Sequence, residues 1–251
     1  MDKKIKVYMG IPSLGERSDA QCYSLRGIEK QYGDKVELIY PNHFVGRIFH
    51  DYARNKIVED FLTTDCDVLW FLDSDIAPPI ASIELVTKHF DQWEVAGCPY
   101  PLFLTPNGHD IPKVVFAVYS DLPNGGLKNK ESIPKNGTDF VDGMATGCLF
   151  IKRNVFEKLE APYFEFKYDA KTRQMTEGED LGFCHKVRKL GIRFFTDYEL
   201  VCHHFKKVNL LDVNNYVITE FNERWMEQDR FMRSQIARAK LGVGRSKLIL
   251  P

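Results

Sequence analysis

The 251-residue sequence has no apolar run near the ~20 residues that a membrane-spanning helix needs. Its six cysteines form no CxxC pair and most lie among apolar residues, as reduced thiols do in cytoplasmic proteins. The net charge of -1 favours neither wholesale nucleic-acid binding nor an acidic tail. The short apolar stretch after the first residues is too interrupted for a signal peptide. We therefore expect a cytoplasmic protein without a membrane anchor.

Alternating apolar stretches and amphipathic segments predict an α/β fold that opens as β-α-β, which favours a parallel sheet with helices on its faces. The predicted strands are 4–11, 36–40, 68–72, 95–98, 114–119, 148–151, 193–195 and 200–202. The predicted helices are 20–32, 50–62, 81–90, 154–159, 179–190 and 213–239, with Gly191 as a C-terminal cap. Residues 120–137 show no periodicity and are expected to form a long loop.

Two aspartates directly follow the most apolar predicted strand, 68–72. If the strand geometry continues, Asp73 and Asp75 point to one side and Ser74 to the other. Two carboxylates at the ligand-binding edge of a parallel sheet repel each other unless a cation lies beside them, and oxygen ligands suit Mg²⁺ or Mn²⁺. Asp is also a common turn residue, so the pair could instead stabilise the turn that follows.

An acidic segment, Glu177-Gly178-Glu179-Asp180, opens the helix predicted over 179–190. Acidic side chains at a helix start can simply complement the helix dipole. A carboxylate aimed from a helix start into a cleft can also take a proton from a hydroxyl group. The pattern alone leaves both interpretations open.

Two adjacent histidines, His203 and His204, close the last predicted strand, so alternation sends one side chain to the core and one to the cleft. A neutral imidazole can complete a cation site of carboxylate and phosphate oxygens, although a single His more often makes a structural hydrogen bond. A zinc site from Cys184, His185, Cys202 and His203 is not favoured, because this spacing matches no compact zinc pattern.

Several pieces of the sequence occur in a recognisable order: Ile11-Pro12-Ser13, Ala53-Arg54-Asn55, DVLWFLDSDIAPP, VDGMATGCLFIKRNVFEKL, GEDLGFCHKVRKLG and LVCHH. With this order and spacing, the chain resembles family 2 of the glycosyltransferases and its GT-A relatives from about residue 4 to residue 204. The resemblance implies a Rossmann-like GT-A fold with a predominantly parallel central sheet flanked by helices. Residues 1–207 would form the catalytic domain, and 208–251 would add an amphipathic helix and a basic tail packed on it.

The same resemblance implies a donor side that binds a nucleotide sugar. Pro12 and Ser13 would lie near the nucleotide base, together with Tyr40 or Asn42 from the end of the second strand. Arg54 would approach the diphosphate or the carboxylates on the metal side.

The metal and acceptor sides follow by position as well. Asp73 and Asp75 match the DxD motif that binds the ribose and the Mn²⁺- or Mg²⁺-bound diphosphate, with Asp75 the more direct ligand. His204 matches the late metal ligand, and Glu179 and Asp180 match the acceptor-site acids, of which the Asp is usually the base.

Two details of the resemblance concern other positions. Residues 144–148 would line the acceptor side, with Gly147 leaving room for the acceptor. His203 stands where many relatives carry Gly, which leaves open which histidine faces the metal.

Together these roles imply a metal-dependent, inverting glycosyltransferase that moves a sugar from a nucleoside-diphosphate donor, a UDP-sugar foremost, to a hydroxyl of a glycan. One alternative is a non-catalytic GT-A-like module that binds glycans or nucleotides, which would lack a metal or base residue. The other is a metal-dependent nucleotidyltransferase, but residues 10–15 lack the glycine density of a phosphate loop.

The end of the chain is basic, because the sequence from Arg224 onward contains seven Lys or Arg residues and only two acidic residues. Such a surface could contact DNA phosphates, as in phage-type enzymes that glycosylate hydroxymethylated pyrimidines in the host cytoplasm, or anionic lipid. A solvated helix face is the other interpretation. Oligomeric state is not indicated.

Overall fold

The computed structural model describes residues 3–12, 18–41, 49–104 and 113–206, together with Met226 and Arg230. The strands are β1 (Ile5–Gly10), β2 (Val36–Ile39), β3 (Val68–Leu72), β4 (Ile76–Ala77), β5 (Val95–Gly97), β6 (Pro101–Leu104), β7 (Lys113–Asp121), β8 (Leu127–Lys130), β9 (Thr138–Val141), β10 (Gly143–Met144), β11 (Cys148–Lys152), β12 (Lys167–Tyr168), β13 (Met175–Glu177), β14 (Phe194–Asp197) and β15 (His203–His204). The helices are α1 (Asp19–Tyr32), α2 (His50–Leu62), α3 (Glu84–Thr87), α4 (Arg153–Lys158) and α5 (Glu179–Lys189), with 3-10 turns at Ile80–Ile83 and Phe90–Gln92.

Seven strands form the central sheet in the order β2-β1-β3-β11-β5-β14-β9. Strands β1, β2, β3, β5 and β14 run in one direction, whereas β11 and β9 run against their neighbours. The predicted α/β fold, with a mainly parallel central sheet flanked by helices, is confirmed and is consistent with a GT-A-like fold. A smaller antiparallel sheet holds β6, β7, β8 and β10.

The core is centred on β3, which is buried at all five positions because both faces of the sheet are covered. Its Trp70 stacks on Phe150 of β11 with 4.5 Å between ring centroids. Next to β3, α2 buries Ala53, Ile57 and other residues of one face. Burial of such large aromatic and aliphatic side chains is the main favourable term in folding and fixes the positions of the strand ends.

Several predicted elements match the structure closely. Helix 50–62 and strand 68–72 have the predicted bounds, and Gly191 has the positive φ (77°) expected of a residue that ends a helix. All six cysteines are free, in agreement with reduced thiols. Within the described ranges, no helix is both long and apolar enough to cross a bilayer.

Other predictions were wrong. The helix predicted over 81–90 is instead two 3-10 turns around the four-residue α3, in a segment without a side-chain cap and with β-branched residues such as Ile83 and Val86. The predicted loop over 120–137 contains β8, which pairs with β7 after a turn at Gly125 (φ 81°). Because β8 reads Leu-Lys-Asn-Lys, it has no apolar alternation to reveal it.

The predicted helix 213–239, and the extension over 208–251 to which it belongs, lie outside the described residues apart from Met226 and Arg230. The division into a catalytic domain and a basic extension therefore stays a prediction. Ser13 and Asn42 also lie outside the described residues.

Candidate functional site

The candidate site lies at the edge of the central sheet where β3 and β5 end and the antiparallel strand β11 begins. Asp73 follows β3, Tyr100 lies shortly after β5, and Gly147 precedes β11. The backbone N–H of Asp73 donates to the carbonyl of Gly147 (2.9 Å), which joins two of these strand ends directly. Open α/β sheets bind ligands at this carboxyl edge.

A turn carries the two aspartates of the DSD sequence. The N–H of Ile76 donates to the carbonyl of Asp73 (3.0 Å), so the strand geometry ends before Ser74 and Asp75. The buried side-chain amide of Gln21, from α1, donates to the carbonyls of Asp73 and Ile76 (2.8 Å each) and so holds both ends of the turn. The two side chains therefore do not follow the predicted strand alternation, and the carboxylates of Asp73 and Asp75 have different partners.

Arg54 of α2 joins the first aspartate to the acidic start of α5. Its Nη2 donates to both carboxylate oxygens of Asp73 (3.0 and 3.3 Å), and its Nε lies 3.5 Å from Oε1 of Glu179. The Arg54 side chain is only 4% exposed. Burial opposes its charge, but the neighbouring carboxylates outweigh burial and raise the pKa of the guanidinium. Arg54 therefore stays charged and links the donor-side and acceptor-side acids that the resemblance predicts.

The acidic start of α5 contains two carboxylates with different surroundings. Burial raises the pKa of Glu179, with Arg54 opposing this shift and the charge of Asp180 adding to it. Asp180 accepts a hydrogen bond from the hydroxyl of Tyr119 (2.9 Å) and one from the N–H of Leu181 (2.8 Å). Burial and the nearby Asp180 charge raise the pKa of Tyr119 well above its usual value, so this phenol remains a donor.

The second aspartate of the turn, Asp75, faces His204 and Lys206. Its Oδ2 lies 3.4 Å from Nε2 of His204 and 2.5 Å from Nζ of Lys206. Burial opposes ionisation of this carboxyl, but hydrogen bonds from His204 and Lys206 outweigh burial and lower its pKa to about 2. The other imidazole nitrogen, Nδ1, lies 2.7 Å from the carbonyl of Pro101. Because a carbonyl oxygen can only accept, Nδ1 carries a proton, and Nε2 is the nitrogen that faces Asp75.

The register of β15 explains why His204 takes this position. The strand predicted over 200–202 is wrong, since the strand is β15 itself, which pairs His204 with Ile76 and His203 with Ala77 of β4. The N–H of Cys202 bonds instead to the carbonyl of Pro99, outside any strand. His203 is exposed, whereas the His204 side chain is only 5% exposed.

The expectation that only a cation could relieve the repulsion between the two carboxylates was wrong. Asp73 is paired with Arg54, and Asp75 is paired with Lys206 and His204. The resemblance had placed Arg54 beside the carboxylates on the metal side, whereas Lys206 was not predicted, because it reaches the turn from a distant part of the chain. A cation at this turn would have to displace or supplement these contacts.

The donor set nevertheless fits a hard divalent cation, because it offers carboxylate oxygens and an imidazole nitrogen whose other nitrogen is held by a carbonyl. Among the described residues, the ligand atoms of Asp73, Asp75 and His204 do not all lie within 4.8 Å of one another. Occupation of this site therefore requires side-chain adjustment, with Lys206 moving off Asp75.

Tyr100 is a site residue that the sequence analysis missed. Its ring packs edge-on against His204 (5.3 Å between centroids), and its hydroxyl accepts from the N–H of Gly147 (3.0 Å). Burial and then the charges of Asp73 and Asp180 raise its pKa well above the usual value, which places the phenol between the two acidic groups. Its position just beyond β5, at the carboxyl edge, is the signal that could have identified it.

Gly147 leaves room for this tyrosine, whereas the sequence analysis expected it to leave room for an acceptor. A Cβ at this position would lie 2.5 Å from the Tyr100 hydroxyl oxygen. Of the predicted nucleotide-side residues, Pro12 is half-buried just beyond β1, and Tyr40 donates to Oε1 of Glu29 on α1 (3.0 Å). The structure thus brings together Arg54 and the acids but holds Tyr40 on α1.

No family model and no curated protein matches this chain. It is similar in fold to A197 from STIV, with a TM-score of 0.54 and 22% identity over 81% of this chain and 86% of that one. It is also similar to GalNAc-T7, solved with UDP, GalNAc and Mn²⁺, with a TM-score of 0.47 and 14% identity over 82% of this chain and 44% of that one. At these identities the likeness concerns the fold alone.

Proposed function

We propose that this protein is a metal-dependent, inverting glycosyltransferase that transfers a sugar from a nucleoside-diphosphate donor to a hydroxyl acceptor. The observation that carries this proposal is the buried Arg54, which joins Asp73 of the DSD turn to Glu179, the neighbour of Asp180. A cation-binding turn and a candidate base are thereby held on the same side of one sheet. Motif order in the sequence and the α/β fold support the same function.

The donor would bind with its diphosphate at the DSD turn. Asp75 and His204 would hold a Mn²⁺ or Mg²⁺ ion, with Asp73 nearby on the ribose or the ion. Such an ion, when bound, stabilises the negative charge that develops on the departing nucleoside diphosphate. Lys206, once released from Asp75, is a free cation beside the same phosphates.

Asp180 would act on the acceptor. Its carboxylate accepts one hydrogen bond on each oxygen, from Tyr119 and from the N–H of Leu181, and each oxygen has a second lone pair. One of these can take the proton of the acceptor hydroxyl as that oxygen attacks the anomeric carbon. The attack on the face opposite the leaving group inverts the configuration, and no covalent sugar intermediate is required.

Glu179 would position the acceptor and would not itself take the proton. It lies against Arg54 and is only 12% exposed, so its position is fixed by a buried ion pair. A UDP-sugar is the first donor to test, and the acceptor classes are a glycan hydroxyl and hydroxymethylated pyrimidine in DNA.

The test measures nucleoside-diphosphate release from a panel of nucleotide sugars with Mn²⁺ or Mg²⁺, with and without each acceptor. We expect activity that EDTA abolishes. Asp180→Asn should lower transfer by ~10²–10⁴-fold and leave donor affinity intact, because the amide cannot accept the proton. Glu179→Gln should mainly raise the acceptor KM.

The matched control is Glu59→Gln, on the exposed side of α2, which should keep the full rate. Full activity in EDTA, or an Asp180→Asn variant as fast as the control, contradicts the proposal. The product's anomeric configuration, read by NMR, tests direct displacement, and retention would overturn it.

A further inference from the structure

Three cysteines that are distant in sequence meet in the core behind the candidate site. The Sγ atoms of Cys98, Cys148 and Cys202 all lie within 4.8 Å of one another, and each residue is at most 2% exposed. Among the described residues, this is the one group of three metal-ligating side chains that meets this distance. The sequence does not reveal this cluster, because no two of these cysteines share a compact spacing.

The fold brings the three thiols together through backbone pairing. Cys98 directly follows β5 and donates its N–H to the carbonyl of Cys148, the first residue of β11 (3.1 Å). Cys202 donates its N–H to the carbonyl of Pro99, next to Cys98 (2.8 Å). All three positions are therefore fixed by backbone hydrogen bonds, and the cluster is preformed.

A nearby buried donor lacks a partner. The indole Nε1–H of Trp70 finds no hydrogen-bond partner of ordinary geometry in the described part of the chain. It lies close enough to Cys148 to act on that thiol. A neutral thiol is a weak acceptor, whereas a metal-bound thiolate would accept well from the indole.

We propose that Cys98, Cys148 and Cys202 form a three-coordinate thiolate site for a soft monovalent cation, Cu⁺. Soft thiolate ligands select Cu⁺ and Zn²⁺ over Mg²⁺ or Mn²⁺. Structural Zn²⁺ sites are almost always four-coordinate. With three buried thiols and no further Cys, His, Asp or Glu ligand atom joining the group among the described residues, the cluster suits Cu⁺ better. Each thiol that binds as thiolate releases its proton to the solvent.

This site is distinct from the carboxylate site of the proposed function and does not depend on it. Cys148 follows Gly147, and Cys202 lies just before His203 and His204, so the soft-metal site is built into the segments that carry the candidate site. The two sites differ in ligand chemistry, which allows their occupancy to be separated by choice of metal.

The experiment titrates the full chain, reduced and under anaerobic conditions, with Cu⁺ or with Zn²⁺ in the presence of excess Mg²⁺. We expect one Cu⁺ per chain by native mass spectrometry, a thiolate-to-metal charge-transfer band in the ultraviolet, and X-ray absorption showing sulfur ligands only. At a free Cu⁺ concentration a hundredfold above the Kd, binding should raise the Tm of the protein by roughly 5 °C or more.

Cys148→Ala should lose this binding. Cys66→Ala, which removes another buried thiol outside the cluster, and Asp75→Asn should both keep it. If Cys148→Ala does not fold, the X-ray absorption spectrum of the unmodified protein still decides, because nitrogen or oxygen ligands would overturn the proposal. Preference for Zn²⁺ over Cu⁺, or no bound Cu⁺, would overturn it as well.

Discussion

Replacing Asp75 by Asn separates two effects of one carboxylate, its interaction with a divalent cation and its ion pairs with Lys206 and His204. The substitution keeps the size of the side chain and one of its acceptor oxygens. It removes the negative charge that both partners face at 2.5 and 3.4 Å. Acids at a strand end, outside the core, usually contribute little to stability, but these ion pairs give Asp75 a contribution.

The magnitude follows from the pKa of Asp75, which falls from 3.8 to about 2 on folding. At about 1.4 kcal/mol per pH unit, this shift corresponds to roughly 2 kcal/mol of folding free energy at neutral pH. Because the side chain is 35% exposed, solvent screening reduces the expected loss to about 1 kcal/mol. For a chain of this length, that loss lowers the Tm by about 2–4 °C.

The sign of the pH dependence is fixed by the lowered pKa. The stabilisation is fully present above the unfolded pKa, near 3.8, and is lost as the pH falls through the folded pKa of about 2. The difference between the original protein and Asp75→Asn should therefore be constant at neutral pH and shrink as the pH decreases below about 4.

Urea unfolding in EDTA measures the stability effect, and nucleoside-diphosphate release with Mn²⁺ measures the catalytic effect. Turnover should fall by at least about 10²-fold, the scale of losing one charge that stabilises the transition state. The control Asp65→Asn removes an exposed acid that pairs with Lys6 and should change neither quantity measurably. An Asp75→Asn variant as stable as the control would refute the ion-pair reasoning, and full turnover would refute the metal role.

Three further predictions concern other parts of the structure. His204→Ala should weaken Mn²⁺ binding while His203→Ala should not, because only the His204 side chain faces Asp75. The reverse result in a metal titration would contradict the register of β15. Gly147→Ala should cost about 1–3 kcal/mol in urea unfolding, since its Cβ would collide with Tyr100, and unchanged stability would contradict this close approach. The hydrogen bond from the Tyr32 hydroxyl to Glu84 is the largest cause that raises the pKa of Tyr32 to about 12. The contribution of this phenol to folding stability should therefore be lost as the pH rises from 10 to 12, and an unperturbed ultraviolet phenolate titration would exclude the shift.

The sequence was sufficient to predict those elements in which the pattern of apolar residues matches the way the element packs in the fold. Strand β3 is a continuous apolar run because both of its faces are buried, and α2 has an apolar face because it packs on the sheet. The start of α5 at Glu179 was predicted from the acidic cluster and the helical spacing of the apolar residues that follow.

The remaining features depend on contacts between distant segments, which a linear pattern does not contain. The strand predicted over 200–202 was displaced to β15, because pairing with β4 decides its register. Lys206, a partner of the DSD turn that was not predicted, lies 131 residues from Asp75 in the chain. The thiol cluster likewise exists only once β5 and β11 are paired.

The amide of Gln21, which holds both ends of the DSD turn, determines which parts of the turn would change when a cation binds. Because a helix side chain fixes the carbonyls of Asp73 and Ile76, the path of the backbone through the turn is set before any ion arrives. Only side chains then have to reorganise on binding, and the loss of backbone conformational entropy has already occurred during folding. The turn therefore acts as a rigid frame with adjustable ligands, in which an ion exchanges one set of side-chain contacts for another without remaking the loop.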